Sequence, residues 1–124
     1  MFNFNISWSR YDGKVSCLVA HLIYDEEKTK NWEFFYDQEG FAIAYNLGFR
    51  GFAEFPDIEK KYSSPSLFDV FSDRIQRLDN NKVVNEISES EKAKFLEISK
   101  AHLNTDKISI EYQGRQKTYG ESRR

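Results

Sequence analysis

The sequence predicts an α+β domain, a curved antiparallel sheet of about five strands with two main helices packed on it. Three observations carry that prediction. Apolar and polar residues alternate strictly from Phe2 to Ser9, the period of a half-buried strand. Asp12-Gly13 then offers a hairpin turn into a second apolar stretch, since that dipeptide tolerates positive φ. Two later stretches, 65–78 and 88–103, set apolar residues at helical spacing behind clear start signals.

Taken in order, Phe2, Phe4, Ile6 and Trp8 form the inward face of the first strand, and Asn3, Asn5, Ser7 and Ser9 the outward one. Tyr11 to Lys14 is the turn. Residues 14–24 form the second strand, with Val15, Cys17, Val19, His21 and Ile23 on one side and Leu18, Ala20 and Leu22 on the other. Apolar residues on both sides predict a central strand covered on each face. Residues 25–30 are a charged loop, 31–36 a short aromatic strand and 37–40 a turn. Residues 41–47 fit a helix or a strand, and the alanines together with Gly48 as a C-terminal stop favour a short helix.

Residues 49–55 read as a strand or extended segment ending at Pro56, which holds Phe55 out of the α region. Residues 57–62 read as a polar loop. Ser64 is the expected N-cap of a helix over 65–78, with Pro65 at the first helical position. Leu67, Phe71, Ile75 and Leu78 form its stripe, widened by Phe68 and Val70. Its charges run from Asp69 and Asp73 to Arg74 and Arg77, as the helix dipole prefers. A connecting loop over 79–87 is anchored by Val83 and Val84. Ser88 and Glu91 then form a capping box. Phe95, Ile98 and His102 make one side of that helix, with Leu96 and Leu103 nearby. Residues 104–106 are a turn, and Lys107 to Gln113 alternates as a last strand.

A chain of 124 residues fits one domain, taken here as 1–113 with a basic tail over 114–124. Eleven Phe, seven Tyr and two Trp supply much of the expected core. The net charge of -2 divides into +3 on the tail (four Arg and Lys minus Glu121) and -5 on the body. An acidic body argues against a nucleic-acid binder. The tail reads as a solvated terminus, with docking of an acidic partner as the alternative. One cysteine, Cys17, excludes an internal disulfide and fits a reducing compartment. With no signal-peptide pattern and no apolar run of about 18 residues, the expected location is cytoplasmic, without a membrane span.

Little chemistry is on offer. Cys17 and His21, if on one strand face, stand about 13 Å apart at strand rise, too far for a nucleophile and its base. Both histidines, His21 and His102, read as structural. Asp69 and Asp73 share a helix face and are in principle compatible with a divalent cation, but the preferred reading is a solvated face. No Gly-rich phosphate loop, GxSxG or SxxK motif is present. The expectation is therefore no catalytic residue, no cofactor, no metal and no enzyme.

Phe55-Pro56-Asp57, Tyr62-Ser63-Ser64, Leu67-Phe68, Phe71 and Arg74-Ile75, followed by Phe95-Leu96-Glu97-Ile98 and Ile108-Ser109-Ile110, stand in an order that is similar to a known family. It resembles the N-terminal subdomain of HipA-type serine/threonine kinases, toxins of bacterial toxin–antitoxin systems, over most of residues 13–112. The FPD…Y-x-S-x-x-LF pattern also looks like the leading segment of bacterial HIRAN-domain proteins. A leucine-proline-rich stretch after Phe71 is missing, Ala101-His102 replaces a glycine, and the kinase core is absent. The resemblance implies a stand-alone, antitoxin-like protein that binds and regulates a HipA-like kinase, with no catalytic residue to carry over.

A nucleic-acid-associated module and a phage or mobile-element inhibitor are the alternatives. Any nucleic-acid contact is expected to be indirect or absent. The candidate partner-binding residues are Trp32, on the aromatic strand, and Lys60, Tyr62 and Arg74. Trp32 is open to a core or an interface role, and Arg74 to pairing with Asp57 or facing a partner.

Overall fold

Phe2, Phe4, Ile6 and Trp8 are all buried along β1 (Phe2–Ser9), as their alternation predicts. The computed structural model describes residues 1–10, 15–78, 86–99 and 107–115. The expected turn at 11–14, the Val83 and Val84 anchors, His102, Leu103, the 104–106 turn and most of the tail lie outside the described residues.

β1 pairs antiparallel with β2 (Ser16–Tyr24), and the register slips once. Ile6 faces Ala20 while Ser7 faces Leu18, so Val19 is the extra residue of a bulge. Burial therefore passes from the odd positions Cys17 and Val19 to the even positions Ala20, Leu22 and Tyr24. This corrects the expectation of a strand covered on both faces. Apolar residues of both parities reach one core through the bulge, and His21 and Ile23 lie half-buried on the other side of the sheet.

β3 (Trp32–Tyr36) pairs antiparallel with β2, the three-residue β4 (Tyr62–Ser64) with β3, and β5 (Ile108–Arg115) with β1. The result is one open antiparallel sheet of order β4-β3-β2-β1-β5. β5 includes Gly114 and Arg115, opposite Asn3 and Phe2, so two residues expected in the tail belong to the sheet.

α1 (Gln38–Asn46) is the short helix expected around 41–47, begun earlier because Asp37 caps it rather than lying in a turn. Its end is the glycine stop foreseen at Gly48, where φ is 119° and the Phe49 amide bonds back to the Ala44 carbonyl. Gly40 is needed for packing: a Cβ there would overlap the Leu18 carbonyl oxygen of β2.

The segment 49–55 is not a sheet strand. It closes on itself through an isolated bridge between Phe52 and Phe55. The Tyr36 hydroxyl holds this turn, donating to the Phe55 carbonyl at 2.7 Å and accepting from the Phe52 amide at 2.9 Å. The helix expected from 65 is α2 (Asp69–Leu78). Ser64 is not its cap: it belongs to β4, opposite Trp32, and its Oγ accepts from the Ser66 amide at 3.2 Å. The first α-helical bond instead runs from the Ser72 amide to the Phe68 carbonyl.

α3 (Glu89–Ser99) starts with the predicted capping box, Glu91 amide to Ser88 Oγ at 3.1 Å and Ser88 amide to Glu91 Oε1 at 3.0 Å. Its inward face is Lys92, Ala93 and Leu96, whereas Ile98 is 81% exposed, contrary to the stripe expected. All three described helices reach the sheet face that carries Trp32, Phe34 and Tyr36: α1 through Phe41, α2 through Phe71, α3 through Glu89. The densest aromatic packing is Phe34 on Phe55, centroids 3.9 Å apart and nearly parallel, with Phe52, Phe68 and Phe71 around them.

Candidate protein-interaction surface

α1 buries only Phe41 and Ala44. At 3.6 residues per turn the side opposite them carries Glu39, Ala42 and Asn46, flanked by Ile43 and Tyr45. The outward side of a surface helix is ordinarily polar and charged. Here Glu39 is the one charged residue of the nine, and Ile43 and Tyr45 are 52% and 50% exposed.

A loop is pinned beside this helix. Gln38 Nε2 donates to the Ile58 carbonyl at 2.8 Å, which sets the Ile58 side chain across from Tyr45. Between them lies a shallow cavity of about 470 Å³, lined by Phe41, Ala42, Tyr45, Asn46 and Ile58. Arg50 stacks on Tyr45, one of the lining residues. Its guanidinium sits 4.3 Å from the Tyr45 ring centroid, a cation–π distance, and Nη1 donates to the carbonyls of Tyr45 and Phe49 at 3.0 and 3.1 Å.

The start of α1 is held electrostatically. Asp37 Oδ1 accepts from the Gly40 amide at 2.9 Å, and its Oδ2 stands 3.2 Å from His21 Nε2. The Gly40 N–H first, and the His21 contact after it, hold the Asp37 carboxyl below the usual carboxylate range. Beneath the helix, burial pushes the Tyr36 phenol above its ordinary value, against the opposing effect of the Phe52 N–H.

The four residues singled out in the sequence separate into two pairs. Trp32 is fully buried, and its indole N–H donates to Glu89 Oε1 at 2.9 Å. Arg74 is 6% exposed and donates through Nη2 to the Ile108 carbonyl at 2.7 Å, tying α2 to β5. Both are interior residues, which corrects their reading as partner contacts, and Arg74 reaches β5 where pairing with Asp57 was one expectation. Lys60 and Tyr62 do reach the surface. The Lys60 ammonium lies 4.9 Å over the Tyr62 ring, whose hydroxyl accepts from the Asp57 amide at 2.9 Å. Lys60 follows Ile58 in the same loop, and Tyr62 opens β4 just after it.

The bulge in β2 places buried Cys17 and half-buried His21 on opposite sides of the sheet, so they do not share a face as strict alternation implies. His21 stacks on Phe35 at 5.1 Å. Asp69 and Asp73 are exposed, and among the described residues no three His, Cys, Asp or Glu side chains gather where they could hold a metal ion. No described helix is long and apolar enough to cross a membrane.

Sequence reasoning passed over Tyr45, Arg50 and Ile58. The available signal was a nine-residue helix with too few charges to face solvent on its own. Comparison with family models, with curated proteins and with solved structures returned no match.

Proposed function

We propose that this chain is a non-enzymatic protein-binding module that docks through the outer side of α1 and the adjoining Ile58 loop. The observation that carries the reading is that α1 exposes Ile43 and Tyr45 and carries one charge, Glu39, with a cavity beside it. Of the four large hydrophobics exposed among the described residues, Ile43, Tyr45 and Ile58 belong to this helix and its loop, and Ile98 stands apart on α3. Tyr and Arg are the residue types that most often anchor protein interfaces, and Tyr45 and Arg50 are already stacked.

The resemblance to the N-terminal subdomain of HipA-type kinases supplies the partner class: a HipA-like serine/threonine kinase, with this chain in an antitoxin-like, regulating role. Co-purification with such a kinase, followed by a phosphorylation assay with and without this chain, tests it. Binding that alters kinase activity and is lost in Tyr45→Glu is the expected result. Absence of binding to any HipA-like kinase removes that partner.

A further inference from the structure

We infer that the cavity beside α1 receives a bulky apolar side chain from an acidic segment of the partner, with the segment's carboxylate against Arg50. This rests on the protein-binding reading above and adds the chemistry of what is bound. The five residues lining the cavity carry no charge, and Phe41, Tyr45 and Ile58 give it an apolar floor and walls. Its volume of about 470 Å³ is ample for one large side chain, within the range of small-molecule sites.

Among the described residues a single cation lies on the Tyr45 side of the cavity, and Glu39 of α1 lies one turn before Ala42. Arg50 is exposed and stacked on the Tyr45 wall, and both of its hydrogen bonds use Nη1. The Nε–Nη2 edge is thereby held in place and left for a planar acceptor, the geometry in which guanidinium binds carboxylate in a two-pronged fashion. No carboxylate among the described residues pairs with it. On the opposite wall the loop is electrically balanced: Asp57 and Glu59 flank Ile58, and Lys60 and Lys61 follow. The Asp57 carboxylate is engaged by the Glu59 amide at 3.0 Å. Charge complementarity thus favours an acidic segment and sets its direction, apolar anchor in the cavity and carboxylate toward the C-terminal end of α1.

The test uses the full ¹⁵N-labelled chain and two acetylated, amidated peptides, Gly-Leu-Trp-Glu-Glu-Gly and Gly-Leu-Trp-Lys-Lys-Gly, titrated at low ionic strength. The acidic peptide is expected to shift the amides of Ala42, Tyr45, Asn46, Arg50 and Ile58, and to bind about fivefold tighter than the basic one, the scale of a partly exposed ion pair. Arg50→Glu, a surface change, is expected to reverse that order while the remaining spectrum stays in place. Equal affinity for the two peptides, shifts confined to other surfaces, or an order unchanged in Arg50→Glu overturns the inference. If the kinase co-purifies while neither peptide touches α1, this inference falls and the protein-binding reading stands. If the acidic peptide binds at α1 while no kinase does, the kinase falls and this site stands.

Discussion

Replacing Glu89 with alanine removes three contacts at once. Glu89 Oε1 accepts from the Trp32 indole and from the Leu67 amide, each at 2.9 Å, and Oε2 meets the Lys92 ammonium at 2.8 Å. The carboxylate joins α3 to β3 and to the approach of α2. Its loss leaves two donors without an acceptor, at about 1–3 kcal/mol each, and a lysine side chain 7% exposed without its counter-ion. Breaking a buried pair costs about 3–5 kcal/mol, and these losses overlap because they share one carboxylate. With the Glu89 side chain 23% exposed, water relieves part of the cost, so about 3–4 kcal/mol is expected. Glu89→Gln keeps an oxygen for Trp32 and Leu67 but loses the charge facing Lys92, and is expected to cost about half as much. Lys92→Met added to Glu89→Gln restores part of that loss, with a coupling of about 1–2 kcal/mol. Urea unfolding followed by tryptophan fluorescence and circular dichroism measures each value, with an unchanged dependence on urea. A loss under about 1 kcal/mol in Glu89→Ala, or equal losses in the alanine and glutamine variants, refutes the junction as described.

Asp37→Asn tests the cap of α1. Because the folded-state pKa of Asp37 lies below its unfolded value, the ionised carboxylate's contribution is fully present above the unfolded value of 3.8 and disappears as pH falls through the folded one. The stability gap between wild type and Asp37→Asn is therefore expected to close as pH falls from about 5 into stronger acid; a gap unchanged from about pH 5 down to about pH 2 contradicts it. Gly40→Ala forces a methyl group onto the Leu18 carbonyl and is expected to cost about 1–3 kcal/mol in urea unfolding, where an unstrained helix site would gain stability. Phe71→Ala, at a fully buried ring against Phe34 and Phe55, is expected to cost about 3–5 kcal/mol, and a loss below about 1 kcal/mol would mean that this face of α2 is not core.

The fold class was legible because its signals are local and periodic. β1 shows strict alternation, the Ser88–Glu91 box opens α3 as written, and Gly48 closes α1. Where the reading failed, a distant residue decided the outcome. The bulge at Val19 is set by pairing with β1 and leaves no composition mark in β2 itself. Ser64-Pro65 has the form of a helix start, yet Ser64 pairs with Trp32 and the Leu67 amide is taken by Glu89, so the helix is postponed to Asp69. The aromatics of 49–55 read as a strand, but Tyr36 holds them as a turn. Lys92 looks like a surface residue until Glu89 is seen beside it, and its burial turns Ile98 outward. The candidate surface was hidden for a similar reason: Ile58 is remote in sequence from α1 and meets it through the Gln38 bond to its carbonyl and the cavity they share.

The central claim is that the outer side of α1 is where a protein partner docks, and calorimetry of this chain with a co-purifying HipA-like kinase tests it most directly. Wild-type binding is expected to weaken at least tenfold, about 1.4 kcal/mol, in both Tyr45→Glu and Ile58→Lys, with unfolding curves unchanged and with Ile98→Lys on α3 binding as wild type does. Undiminished binding by Tyr45→Glu and Ile58→Lys, or a loss equal in Ile98→Lys, would contradict it.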